Sequence, residues 1–488
     1  MRFRFLLFLA SSALPLAACA PQVERIAALK PPAEKPTWAF EASDVPVEAA
    51  WKFGKLANGM RYVVRRNATP KGTALVRMQV DAGSLDEGEA ERGYAHFVEH
   101  MAFNGSTHVP EGEMVKLLER QGLAFGAHTN ASTSFDATLY QLDLQRADPK
   151  LLDTALMLMR ETASELTVAA AAVARERGVV LSEMRDRNTF AYRNLVDSLE
   201  FGAPLALFPK RLPIGTTEAL NAATGDSLRA FYRREYVPKQ TTLVVVGDFA
   251  PEEVEAAIVA RFADWQPAPA EKQPDAGPID PKDKRRTDIF IDPALSERVT
   301  ASRNGPWLYE PDSVAQRREN LLRQIGYGIV NRRLLSLTRQ ADPPFRGAGL
   351  GTADAFEAAR TSNLVIDTID GGWKRGLSAA AREYRRALAQ GFTAGEVAEQ
   401  IANIRTAAKN DAASAGTRSN GALVGAVLAL IRDDLVPSAP ESSLARLEAF
   451  IPEITPKSVL AALKRELVAL DDPLLRFQGR REPAGGAA

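Results

Sequence analysis

Gly93-Tyr-Ala-His96-Phe-Val-Glu99-His100-Met-Ala-Phe-Asn-Gly105 is the stretch on which the reading of the whole chain depends. Inside it lies H-x-x-E-H. In a helix, His96 and His100 stand one turn apart on the same face, so both imidazoles can grip one metal ion. Glu99 follows His96 by three residues and can reach a water held at that face. The chain has 488 residues but only four histidines, His96, His100, His108 and His128. A chain so poor in histidine rarely sets two of them around a glutamate by chance. The competing reading is a surface helix with two solvated histidines, but no turn or charge requirement calls for histidine here.

The motif reverses H-E-x-x-H, and the inverted order marks another class of zinc peptidase. Such a site needs a third protein ligand and an open position for water. Downstream, Glu176-Arg-Gly-Val-Val-Leu-Ser-Glu183 sets two carboxylates seven apart, on one helix face. Spacing alone reads more readily as a pair of solvated carboxylates, because 169–187 is rich in charge.

Other segments extend the pattern. They are Leu56-Ala-Asn-Gly-Met-Arg-Tyr-Val-Val64, Val80-Asp-Ala-Gly-Ser-Leu-Asp-Glu87, Asn130-Ala-Ser-Thr-Ser-Phe-Asp136 and Thr242-Leu-Val-Val-Val-Gly-Asp248. Together with H-x-x-E-H, and in this order over about 53–250, they resemble the pitrilysin and insulin-degrading family of zinc peptidases, which includes the mitochondrial processing peptidases. The resemblance implies one Zn²⁺ per chain on His96, His100 and Glu183, with Glu99 as general base. It implies Glu176 as a supporting catalytic residue, and Asn130 and Ala131 as main-chain binders of an extended peptide substrate by strand addition.

The first nineteen residues have a basic start, an apolar run and Leu16-Ala-Ala-Cys19. They read as a lipoprotein signal peptide over 1–19. Cys19 is the only cysteine, so no internal disulfide forms, and lipidation at Cys19 explains its place. With Ala20 next, an outer-membrane anchor facing the periplasm is favoured over the inner membrane. A Pro- and Ala-rich tether follows over 20–48. Lysine plus arginine equals aspartate plus glutamate at 61 each, which argues against nucleic acid as a partner.

Hydrophobic patterning predicts strands over 53–66, 73–80, 130–144 and 243–246, and helices over 110–121, 151–166, 169–186 and 225–236. Strands and helices mix without regular βαβ spacing, which points to an α+β fold. The expected domains are a zinc-peptidase-like unit over 49–265, a linker over 266–286 and a second, inactive copy over 287–480. Each is expected to be an antiparallel-rich sheet packed with helices. In the second unit, helices are predicted over 315–337, 374–390, 394–413 and 444–450, with a strand over 363–369. It holds no histidine, and 421–430 reads as core. His108 and His128 lack helical spacing to the zinc pair and read as loop residues.

Members of the resembled family close two such halves around the substrate. The resemblance therefore implies a homodimer, or a heterodimer with a second two-domain half that supplies an Arg and a Tyr. Tyr309, Tyr327 and Tyr384 show no matching Arg spacing. Two function classes follow: a zinc metalloendopeptidase of the cell envelope, and a non-catalytic binding or assembly subunit of the same fold.

Overall fold

The computed structural model describes residues 36–124, 126–269 and 275–486. Cys19 and the signal peptide lie outside them, as does the expected tether up to residue 35; the rest of that stretch, 36–48, packs onto the fold instead, with Trp38 5% and Val45 2% exposed and Ser43 Oγ donating to Asp312 O.

The first unit is built on six strands: β1 (Lys52–Lys55), β2 (Arg61–Arg66), β3 (Ala74–Val80), β4 (Thr129–Thr133), β5 (Thr138–Leu144) and β6 (Thr241–Gly247). They lie in the order β1-β2-β6-β3-β5-β4. Only β2 and β6 run parallel. The eight helices are α1 (Tyr94–Met101), α2 (Glu113–Arg120), α3 (Pro149–Ser164), α4 (Ala170–Arg187), α5 (Phe190–Gly202), α6 (Thr217–Ala222), α7 (Gly225–Glu235) and α8 (Pro251–Phe262).

Two single strands expected from the sequence are hairpins. The run 53–66 breaks at Asn58-Gly59, where Leu56 donates to Met60 O and Gly59 to Leu56 O. The run 130–144 breaks at residues 134–137, where Ser134 and Ala137 bond each other. The helix expected over 110–121 starts only after Gly112, whose φ of +79° is left-handed. Pro110 lies outside it.

Five strands form the second sheet: β7 (Thr287–Ile291), β8 (Arg298–Pro306), β9 (Gly347–Ala355), β10 (Ala359–Asp367) and β11 (Leu474–Gly479). Their order is β7-β11-β8-β10-β9, with only β7 and β11 parallel. Without β1, the first sheet has the same order and the same single parallel pair. The helices are α9 (Val314–Leu337), α10 (Trp373–Gln390), α11 (Ala394–Ala413), α12 (Asn420–Asp433), α13 (Pro440–Phe450) and α14 (Pro456–Glu466). The expected strand over 363–369 is β10, shifted earlier. β9, β11 and α14 have no counterpart in the sequence reading.

The two units exchange a helix each. The face of the first sheet away from its main core carries Val63, Val244 and Val246. Leu423, Val424, Val427 and Leu430 of α12 cover it, with Trp38 and Trp51. This is why Arg77 and Gln79, on the more polar side of β3, are 7% and 2% exposed. In return α5 lies against the second sheet: Arg476 on β11 bonds Asn194 and Asp197, and Arg286 donates to Phe201 O. α5 follows α4 as α12 follows α11, so the exchange is reciprocal.

Candidate metal centre

α1 is buried on nearly every side. Tyr94, Phe97, Val98 and Met101 enter the first core, and His96 and Glu99 are 5% and 9% exposed. Two features fix where the helix starts. Gly93 has φ +101°, and a Cβ on it would meet Gly215 Cα at 2.9 Å. The Glu87 carboxylate accepts from the Gly93 and Ala95 N–H groups, each at 2.9 Å. It thereby serves the free donors of the first turn. Arg211 Nε donates to Glu87 O at 3.0 Å and holds this segment in place. Burial still pushes the Glu87 carboxyl well above its ordinary range.

α4 crosses α1 and brings its two glutamates. Arg177, between them, donates to Leu220 O and Ala223 O and anchors the helix. Glu183 Oε2 lies 3.5 Å from His96 Nε2 and 3.4 Å from His100 Nε2. Glu176 Oε2 lies 3.1 Å from His100 Nδ1, the ring nitrogen on the other side. Arg187, one turn beyond Glu183, pairs with Glu183 Oε1.

His96, His100 and Glu183 therefore offer three ligand atoms within 4.8 Å of one another. Tetrahedral zinc at about 2.0–2.1 Å from each ligand sets ligand atoms about 3.3–3.5 Å apart. The His–Glu separations match that, so the donor set fits a zinc ion. Burial, then the neighbouring His100 and Arg187, lowers His96 to about 3, which keeps its imidazole neutral. Neutral imidazole is the form that binds metal.

Burial raises the Glu99 carboxyl above its ordinary range, against a hydrogen bond from Thr133 Oγ1 to Glu99 Oε2 at 2.5 Å. Asn130 and Ala131 lie on β4, the last strand of the sheet. Asn130 is exposed, and its Oδ1 accepts the Ala131 N–H at 2.9 Å. His108 and His128 are outside the cluster: His108 Nδ1 bonds Glu161 Oε1 at 2.7 Å, and His128 Nδ1 accepts from Ala124 N–H. Sequence reasoning did not single out Glu87, Thr133 or Arg187. Only Arg187 had a readable signal, its four-residue spacing from Glu183 on a charged helix.

The family described as Insulinase (Peptidase family M16) matches residues 62–199, and Peptidase M16 inactive domain matches 222–404. The chain belongs to the insulinase peptidase family, M16. Among M16 relatives, a protein named Zinc protease PQQL-like from Arabidopsis thaliana is 30% identical over 295 residues, 60% of this chain and 31% of that protein. The chain spans between 23% and 39% of the length of three such relatives. The periplasmic protease PqqL from Escherichia coli has the same fold, with a TM-score of 0.83 at 24% identity, over 90% of this chain and 48% of that one. The structure of the first half of that protease gives 0.82 at 23% identity, over 90% and 93%. The M16 fold here is thus a two-domain half.

Proposed function

We propose that the chain is a zinc metalloendopeptidase acting on peptides or small unfolded proteins in the bacterial cell envelope. The observation that carries this reading is the convergence of His96, His100 and Glu183 beside a buried Glu99 and a free strand edge. His96, His100 and Glu183 would hold one zinc ion, which supplies Lewis acidity toward water and the scissile carbonyl. Glu176 orients the His100 ring through Nδ1. An extended peptide adds to the open side of β4 by main-chain hydrogen bonds near Asn130 and Ala131, with little demand on its side chains. Glu99 Oε1, the oxygen that Thr133 does not engage, takes the proton from water and returns it to the leaving amine.

The fold corresponds to one half of a two-half protease. We therefore propose a second two-domain half closing over the site, from the same or another polypeptide. The basic, apolar start ending in Leu16-Ala-Ala-Cys19 supports a lipid anchor in the envelope. Among the described residues no helix is long and apolar enough to cross a membrane.

The test is cleavage of a mixed quenched-peptide pool by the zinc-loaded chain beside Glu99→Gln, with zinc measured in both. Glu99→Gln is expected to keep its zinc and lose activity by about 10²–10⁴-fold. His96→Ala and Glu183→Ala are expected to lose both. Full activity in Glu99→Gln refutes the assignment.

A further inference from the structure

Thr133 Oγ1 donates to Glu99 Oε2 at 2.5 Å. That is a short, charge-assisted bond in a place that little water enters. The last torsion of a glutamate is broad, so an untethered carboxylate has no fixed aim.

The position of Thr133 is unusual. It is the last residue of β4, the strand whose outer side has no neighbour in the sheet among the described residues. The backbone immediately after it is nevertheless held firmly. Ser84 N–H donates to Ser134 O at 3.1 Å, and Leu85 N–H to Phe135 O at 2.7 Å. Gly83 lies so close that a Cβ on it would meet Ser134 O at 2.5 Å. Across the hairpin, Thr133 pairs with Thr138, whose hydroxyl is bonded to Ala82 O at 2.9 Å. One end of an otherwise open strand is thus pinned where its side chain meets Glu99.

We propose that Thr133 is the positioning residue for Glu99: from the strand that takes the peptide, its hydroxyl fixes the carboxylate and leaves Oε1 free to work. The inference rests on reading Glu99 as the general base. Its consequence is that the strand that takes the peptide also sets the aim of the base.

Thr133→Val removes the hydroxyl at constant shape, and Thr133→Ser keeps it. Both are compared with the wild-type chain and Glu99→Gln for zinc content, thermal melting, kcat and KM. The Glu99 carboxylate band is read by infrared difference against Glu99→Gln. Thr133→Val is expected to keep its zinc, its melting and a KM within about twofold, to lose kcat by about ten- to a hundredfold, and to shift the carboxylate band. Thr133→Ser is expected to restore both kcat and the band. Wild-type kcat in Thr133→Val, or equal losses in Val and Ser, overturns the proposal. If the wild-type chain does not turn over, the band decides: an unmoved band in Thr133→Val overturns it. Failure of the parent reading is distinct, since it appears as full activity in Glu99→Gln.

Discussion

His96, Glu99 and His100 were legible because helix periodicity alone sets them on one face. Glu176 and Glu183 share a face by the same rule, but their spacing fits a solvated surface equally well. Only resemblance singled them out, and the fold then turned that face toward α1. Thr133 and Glu87 were not legible. Thr133 meets Glu99 across 34 residues of sequence, and no local pattern announces such a contact. Glu176 makes a prediction at this scale. Its carboxylate faces His100 Nδ1, so Glu176→Gln is expected to weaken zinc binding by about 10–100-fold while leaving the fold intact. Competition against a chromophoric chelator measures this. Unchanged affinity would remove Glu176 from the centre.

Elements were read well where burial is one-sided and poorly where turns are short. Asn58-Gly59 is an ordinary turn signal, yet apolar residues on both sides made 53–66 look continuous. β9, Gly-Ala-Gly-Leu-Gly-Thr-Ala-Asp-Ala, has almost no intrinsic strand preference and is held by its full-length pairing with β10. The apolar run 421–430 is core, as its composition implied, but the core it completes belongs to the other unit. At the element scale α1 depends on Glu87. Glu87→Ala strips two buried N–H groups of their acceptor, and is expected to cost about 2 kcal/mol in a urea titration. Zinc affinity should fall with it, because His96 lies only one residue beyond the second of these N–H groups.

At the scale of the whole molecule, carboxyl groups of opposite behaviour shape the response to pH. Burial pushes Glu310 up, but hydrogen bonds from Arg323 and Arg360 outweigh it and hold the group at about 2. Arg333 holds Glu396 at about 2 as well. Both start from 4.5, so their stabilisation is complete above that pH and is lost as pH falls toward 2. Asp86 has the opposite sign. Burial, with Glu235 and Asp136 nearby, raises it from 3.8 to about 7, so the folded chain retains a proton that the unfolded chain releases. Its contribution is full below pH 3.8 and is lost as pH rises toward 7. Urea titrations from pH 2 to 8 should show both slopes. Asp86→Asn should flatten the second slope and Glu310→Gln the first.

The reciprocal loan of α5 and α12 also bears on how the repeat can be divided. The segment joining the two sheets looks like a seam in composition, but the packing crosses it in both directions. Nicking the backbone between residues 269 and 275 is expected to give two fragments that still migrate as one particle in gel filtration. Expressing residues 36–286 alone would strip the α12 cover from Val63, Val244 and Val246, leaving them only Trp38, Trp51 and their partly buried neighbours. Two copies of one sheet have become a single heritable unit, in which neither copy can be borrowed, swapped or discarded without the other.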